Sequence, residues 1–415
     1  MKLLKPIFVV LGSIAAIAAW SALAVFVGFY GWWMKPVAPR DDHAAFYAEA
    51  VRIIEASNLG NSAFVLMENG DVVGQHYWQD RHGVDKNTVF PTASFSKWIT
   101  ALGVLSLVED GLINLDDPVS IHLTRWRLPD SPYDEDGVTI RRLLSHTAGL
   151  TDGLGFGDYE ADETLPTIEQ SLIKPRASSG RNVEVAIGAE PGKEFAYSGG
   201  GYLILQLLIE EASGQDYQSY IKEKILDPLG ISNSSFDFIG GIGGATKSFD
   251  ATGKPAPQYQ YAAAGATGFA SSAADLTRLV KAIAVADPAL GLGAQTLQSM
   301  REPEAFVYGA GIWGFGTMLY APTQSGDSVF GHDGANEPAI NVSVRINPET
   351  NDAYIMLVNG HSSLASDIGA EWVLWQSGKP DFLSTERVLK SALLPAILGS
   401  AFILFLSLLL SRRRS

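Results

Sequence analysis

The chain has 415 residues, 47% of them hydrophobic, including nine Trp and 19 Phe, which excludes global disorder and leaves room for one large domain or two to three smaller ones. It has no cysteine, so disulfides, thiolate metal sites and a cysteine nucleophile are excluded. All 45 acidic residues lie within 41–389, against 22 of the 30 basic ones, and this body of net charge −23 is a poor match for nucleic acid or an anionic membrane surface.

Residues 7–34 carry no charge, a run longer than the roughly 20 residues a spanning helix needs. Phe29, Tyr30, Trp32 and Trp33 cluster at its far end, as an interfacial aromatic belt does. A cleaved signal peptide would have an apolar core of only about 7–15 residues ending in small residues. An uncleaved anchor is therefore expected. Residues 391–410 repeat the pattern and run into Arg412, Arg413 and Arg414, while Pro395 can kink such a helix without ending it. Positive residues prefer the cytoplasmic side. Lys2 and Lys5 thus place segment 1–6 inside, diluted by Lys35 and Arg40, and the arginines place segment 411–415 inside. Two spans put the 41–376 domain and a 377–390 linker outside the membrane, in a periplasm or its equivalent, with the bilayer as a partner.

Within the body, 41–56 has helical periodicity. Two apolar runs, 62–67 and 72–78, flank Glu68-Asn69-Gly70-Asp71, a hairpin signal. Next comes PTASFSKWITALGVL, residues 91–105, where Trp98, Leu102, Leu105 and Val108 recur at helical spacing. Ser94 and Lys97 stand three apart, so on a helix they share a face. A serine hydroxyl is a weak nucleophile until a neighbour takes its proton, and lysine serves when its surroundings disfavour its charge. A helix N-terminus also suits an oxyanion. Taken alone, S-x-x-K fits an exposed helix face equally well. Further helical patches fall at 140–144, 201–212, 217–226 and 273–285, divided by Gly- and Pro-rich loops. Strand patterns return from Val329, at 343–346 and 353–358, and a helix closes the body at 363–376. The expected fold class is α+β: strands from both ends of the body pair in one antiparallel sheet flanked by helices, with a mostly helical insert. The acidic pairs Asp116-Asp117 and Glu210-Glu211 read as turn or solvated-face residues, and His43, His76, His82, His122 and His361 form no constellation. No metal site and no cofactor are expected.

Five stretches, taken in order, resemble the serine β-lactamase and penicillin-binding-protein superfamily, in the branch of class C β-lactamases, D-Ala-D-Ala carboxypeptidases and related esterases. They are Ser94-Phe95-Ser96-Lys97; the segment 110–119; VTIRRLLSHTAGL at 138–150; PGKEFAYSGGGY at 191–202; and His332-Asp333-Gly334. The resemblance covers about residues 43–376 and implies the β-lactamase/transpeptidase-like fold. It implies Ser94 as the nucleophile of an acyl-enzyme, Lys97 as its proton partner and Tyr197 as general base beside the Lys97 charge. The backbone N–H groups of Ser94 and Ala335 would form the oxyanion hole. His332 would line the site and polarise the Tyr197 hydroxyl or touch substrate, with Gly199, Asp333 and Gly334 also facing substrate. His146 is expected to brace a loop.

Two departures narrow the substrate. The β-lactam-active relatives have Tyr-x-Asn where this chain has Tyr197-Ser198-Gly199, and often Lys-Thr-Gly where it has His332-Asp333-Gly334. The missing Asn would hold an acylamide and the missing Lys a carboxylate. Asp333 would also bring negative charge toward a bound carboxylate. A neutral ester or amide is the expected substrate, with a D-amino-acid peptide or weak β-lactam hydrolysis as the alternative. A catalytically inactive, membrane-tethered binding or sensor module is the reading from another class. Survival of Ser94, Lys97 and Tyr197 together argues for the enzyme.

Overall fold

Strand residues from the two ends of the body alternate between two apolar environments, and that alternation sets the architecture. The computed structural model describes residues 4–78, 83–153, 159–176, 183–239 and 243–412; Lys2, His82, Arg413 and Arg414 lie outside the described residues. In chain order the elements are α1 (Leu4–Gly28), α2 (His43–Ser57), β1 (Ser62–Glu68), β2 (Asp71–Trp78), β3 (Val89–Pro91) and α3 (Ser96–Glu109). Then come α4 (Ile140–Leu144), α5 (Ile168–Ile173), α6 (Gly199–Ser213), α7 (Tyr217–Ile221), β4 (Ala270–Ser272), α8 (Ala273–Ala284) and α9 (Ala294–Ser299). The chain closes with β5 (Ala305–Val307), β6 (Ala310–Trp313), β7 (Met318–Pro322), β8 (Ser328–Asn336), β9 (Ile340–Asn347), β10 (Asp352–Asn359), α10 (Leu364–Ser377) and α11 (Thr385–Arg412).

Eight strands form one antiparallel sheet in the order β2-β1-β10-β9-β8-β7-β6-β5, and β3 and β4 form a separate pair. The first strand of the body lies against the last, with Ser62 opposite Val358 and Met67 opposite Ala353. Ala353, Ile355 and Leu357 of β10 face the large core that contains α3 and α6, whereas Tyr354, Met356 and Val358 face α2 and α10. This is the period of two of a pleated strand. Helices cover both faces, so β9 and β10 are buried throughout. The α+β class with a helical insert between β2 and β5 is therefore what the chain adopts. The strands β3 to β7 escape a sequence reading: β3, β4 and β5 have three residues each, too short to display a period, and β6 is interrupted by Gly311, where a Cβ would press on Pro303.

On the α2/α10 face an arginine sits in the core. Arg345 of β9 is 1% exposed. It donates to Asp333 of β8 at 2.6 Å and to Asp381, beyond α10, at 3.0 Å, and it lies 3.9 Å from the centre of the Tyr320 ring. Burial pushes the Asp381 carboxyl up, opposed by the Arg345 charge. Phe382 N–H donates to the Tyr320 carbonyl at 2.7 Å, so the segment after α10 is docked on the sheet. The expected 377–390 linker is correspondingly shorter. α11 starts at Thr385, before the apolar run, with Glu386 and Lys390 paired one turn apart on its exposed side. Arg387 pairs with Glu371, tying α11 to α10.

α1 and α11 are both long and apolar enough to cross a membrane. They pack antiparallel: Ser13 and Ser407 share a hydrogen bond at 2.7 Å, and Trp20 Nε1 donates to the Pro395 carbonyl at 3.0 Å. Gly399 seats the Trp20 ring, which a Cβ there would overlap.

Removing one partner of a buried ion pair leaves an uncompensated charge, at a cost of about 3–5 kcal/mol. Arg345→Leu is expected to lower stability by that amount in denaturation of the full-length protein at pH 7. Adding Asp333→Asn and Asp381→Asn in the same chain should recover most of the loss.

Candidate active site

From Pro91 to Leu107 every residue is buried except Ser94. The helix α3 is buried on every side from Ser96 to Leu107, its polar side chains included, and runs through the core. Ser94 lies in the 3-10 turn Ala93–Phe95 that leads into α3. Ala93 has φ +49°, a strained value for a residue with a Cβ, and the sharp turn projects Ser94 from the otherwise buried segment. Pairing of β3 with β4 pins the approach: Thr92 N–H donates to the Phe269 carbonyl at 3.0 Å, and Phe269 N–H donates to Ser96 Oγ at 2.9 Å.

Lys97 is 2% exposed. Its Nζ donates to Ser94 Oγ at 3.4 Å and to the Ala266 carbonyl at 2.8 Å. It also stands 5.0 Å from the ring centre of Tyr197 and 5.7 Å from that of Tyr202. The structure thus brings Ser94, Lys97 and Tyr197 together, and the cation rests on a hydroxyl, a carbonyl and two aromatic faces.

His146 and Asp152 hold the tyrosine in place. Ala196 N–H donates to the His146 carbonyl at 2.8 Å and Ser198 N–H to His146 Nδ1 at 3.1 Å. The His146 ring lies 4.3 Å from that of Tyr197 and 4.8 Å from that of Trp313. His146 therefore braces the tyrosine loop. Asp152 accepts from Ser198 Oγ at 2.5 Å and from Gly200 N–H at 2.8 Å, fixing the start of α6. Burial pushes its carboxyl up, against those hydrogen bonds and the Lys97 charge. Asp152 went unremarked in the sequence; its place two residues after the 138–150 stretch was the only signal for it. Trp313 went unremarked as well, because its contacts come from segments far apart in the chain.

β8 supplies the opposite wall. A Cβ on Gly334 would overlap the Thr92 carbonyl oxygen and press on Phe95 N, so only glycine lets β8 approach the Ser94 turn. Gly334 is thus a residue of close approach. Ala335, next along β8 and exposed, is thereby carried alongside Ser94. His332 is fully buried and makes no hydrogen bond to Tyr197; its ring meets Trp313 edge-on at 5.5 Å, and Trp313 in turn meets Tyr197 at 5.6 Å. It therefore lies within the wall and not on its surface. Its Nδ1–H donates to the Asp333 carbonyl at 2.6 Å. Burial, reinforced by the Lys97 charge, lowers it to about 4, and burial foremost also holds His146 well below the usual histidine range. Both rings are neutral around the lysine.

Asp333 requires a correction. Its neighbours His332 and Gly334 face the Ser94 turn, so the pleat sends Asp333 to the other face of the sheet, where Arg345 and Tyr320 hold its carboxylate. It brings no charge to the cleft. Arg345, a cation within an apolar strand, was the sequence signal for such a partner. Gly199 is buried at the first turn of α6, with its N–H donating to the Gly153 carbonyl at 3.3 Å, and it presents no side chain to a ligand. Among the described residues no cluster of His, Asp and Glu has the arrangement of a metal site.

Comparison with known proteins places this arrangement. The Beta-lactamase family model matches residues 52–379. Penicillin-binding protein 4* of Bacillus subtilis (strain 168) is 34% identical over 179 residues, 42% of this chain and 37% of the relative. The match thus spans well under half of that curated relative. Among solved structures, the octameric penicillin-binding protein homologue from Pyrococcus abyssi is 26% identical with a TM-score of 0.66, covering 82% of this chain and 78% of that one. SurE with D-Leu is 25% identical with a TM-score of 0.61, covering 81% and 75%.

Two outcomes follow from the wall formed by β8. Gly334→Ala must displace β8 from the Ser94 turn, and a misplacement of about 1 Å costs roughly 100-fold in rate; ester turnover should fall by at least that much. For His332, a pKa of about 4 in the folded state lies below the unfolded value near 6.5. The unfolded chain takes up the proton first, so stability falls as pH drops from 6.5 toward 4. The loss is about 2 kcal/mol between pH 6.5 and 5. His332→Gln should flatten that part of the pH dependence in denaturation series at pH 7 and pH 5.

Proposed function

The chain belongs to the beta-lactamase family, a family of serine hydrolases, and we propose that it cleaves a neutral ester or amide through an acyl-enzyme on Ser94, outside a membrane crossed by α1 and α11. The observation that carries this reading is Lys97 Nζ, buried yet 3.4 Å from the one accessible hydroxyl of its segment and 5.0 Å from the Tyr197 ring.

In the first step Ser94 Oγ attacks the substrate carbonyl carbon while its proton passes to Tyr197, with the Lys97 charge stabilising the phenolate. The negative charge that develops on the carbonyl oxygen meets the N–H groups of Ser94 and Ala335; such donors each contribute about 3 kcal/mol in the transition state. Collapse breaks the bond to the alcohol or amine, which leaves with the proton. Water then attacks the acyl carbon, gives its proton to the same base and releases the acid, restoring Ser94. His146 and His332, both neutral, leave Lys97 as the cation of the site, and His332 acts through the wall it shares with Trp313.

The substrate class follows from what the cleft lacks. Gly199 offers no amide to an acylamide, and His332 stands buried where a lysine would meet a carboxylate. A carbonyl needing neither is the favoured target. A D-amino-acid amide is the second reading, favoured by the likeness to SurE, which has been solved with D-Leu. For the membrane, positive ends at Lys2 and Lys5 and at Arg412 to Arg414 support cytoplasmic termini. The antiparallel packing of α1 on α11 supports both termini on one side.

Ser94→Ala in the full-length protein is expected to abolish hydrolysis of a chromogenic ester with the melting temperature unchanged, and to abolish labelling by a fluorophosphonate. Wild-type turnover in that variant refutes the reading. Tyr197→Phe and Lys97→Ala should each lower kcat by roughly 100- to 10,000-fold, the range for loss of a general base.

A further inference from the structure

The sheet is split on the side away from β1. β6 pairs with β7 only at Trp313 and Met318. Beyond that pair the Tyr320 carbonyl is taken by Phe382 of the segment leading to α11. The β5–β6 hairpin therefore stands off from the sheet, and behind it opens a cavity of about 750 Å³. That is within the range of roughly 300–1,000 Å³ typical of small-molecule sites. Its wall comes from three places: Phe26 of α1 with Phe29 and Tyr30 just past its end, Ala310 and Ile312 of the hairpin, and Phe382. The lining is almost wholly apolar, with Lys379 as its one charged residue.

Two features connect this cavity to a bilayer on one side and to the chemistry on the other. Toward the bilayer, the hairpin tip carries Phe306, Val307 and Tyr308, all exposed, with Tyr308 fully so. No charged residue occurs from Ala305 to Met318. This tip lies beside the aromatic end of α1, at the level where such residues meet lipid headgroups. Toward the chemistry, Ile312 lines the cavity and the next residue, Trp313, packs on both Tyr197 and His332.

We propose that the cavity holds the hydrocarbon tail of the substrate while that tail remains continuous with the outer leaflet. The substrate is then a long-chain ester or amide of a membrane amphiphile. This rests on Ser94 as nucleophile and on α1 and α11 as spans. An exposed apolar tip and a cavity walled by a spanning helix have one common solvent, the acyl chains of the bilayer. An apolar tail gains by leaving water for either, so both can retain it while the polar carbonyl reaches Ser94.

The test uses the full-length protein in phosphatidylcholine vesicles doped with phosphatidylcholine bearing a tail-end diazirine. Carrying Ser94→Ala makes the result independent of turnover. Photolysis is expected to label the peptide spanning residues 305–313 as well as α1. Labelling confined to α1 and α11 overturns the cavity assignment and leaves the Ser94 chemistry standing. Labelling of neither helix nor hairpin overturns the membrane reading and the proposal with it. In parallel, wild-type kcat/KM is compared for p-nitrophenyl acetate and p-nitrophenyl dodecanoate in mixed micelles. Each methylene gains roughly fourfold on leaving water, a gain the micelle shares, so the dodecanoate-to-acetate ratio is expected to exceed one and its dependence on the cavity is read in a variant. Ala310→Trp narrows the cavity beside Ile312 and should cut that ratio by about tenfold or more. An unchanged ratio in Ala310→Trp, or no preference for the longer chain in wild type, overturns the proposal. Loss of turnover on both esters in wild type refutes the Ser94 reading and the substrate assignment, while the photolabel still reports on the cavity.

Discussion

The contact of backbone against backbone between Gly334 and the Ser94 turn is the constraint on which the rest of the site depends. Absence of a Cβ at Gly334 lets β8 lie against the Thr92 carbonyl and Phe95 N. That contact joins the insert, which owns Ser94 and Lys97, to the sheet, which owns His332 and Ala335. The strain at Ala93 is held by its surroundings: Thr92 and Ser96 both bond to Phe269, the residue before β4. A serine on a turn clamped from two sides keeps its geometry without its polar neighbours having to hold it.

The electrostatics of the cleft rest on neutral neighbours. Lys97 is buried, and the groups that touch it are a hydroxyl, a carbonyl and aromatic faces. The two histidines nearest it stay uncharged because burial disfavours their protonated forms, and the lysine charge adds to that effect. The negative charges of this region are kept on other structural tasks. Asp152 caps α6, and Asp333 is turned through the sheet to Arg345. A single positive centre beside Ser94 is what remains.

Arg345 links the strand β8 to the long apolar helix α11. One guanidinium holds both Asp333, next to His332 on β8, and Asp381, four residues before α11. The body is therefore anchored to its C-terminal helix through the strand that lines the site. The same segment supplies Phe382, which replaces β6 at Tyr320 and opens the apolar cavity. Two features that look unrelated in sequence, a buried arginine and the short stretch before α11, thus set how the cleft sits relative to that long apolar helix.

Local residue patterns determined much of this molecule. The uncharged runs of α1 and α11, the hairpin at Asn69-Gly70 and the helices around Ser94 and Gly201 were legible because period and turn chemistry are local properties. Ser94, Lys97 and Tyr197 were legible as a set because their flanking stretches carry the family resemblance. The tertiary structure decided what depends on contacts between distant segments. Asp333 reads as a cleft residue until the pleat and Arg345, 12 positions away, turn it to the other face. His332 reads as a site-lining group until Trp313 and the sheet bury it. The strands β5 to β7 are only three to five residues long, too short to show a period, so only pairing reveals them. The S-x-x-K pattern was compatible with an exposed helix face; α3 is instead buried on every side, and this leaves Ser94 as its one outlet. Burial is a property of the whole chain, and it is burial that turns a three-residue spacing into one accessible hydroxyl beside an enclosed lysine.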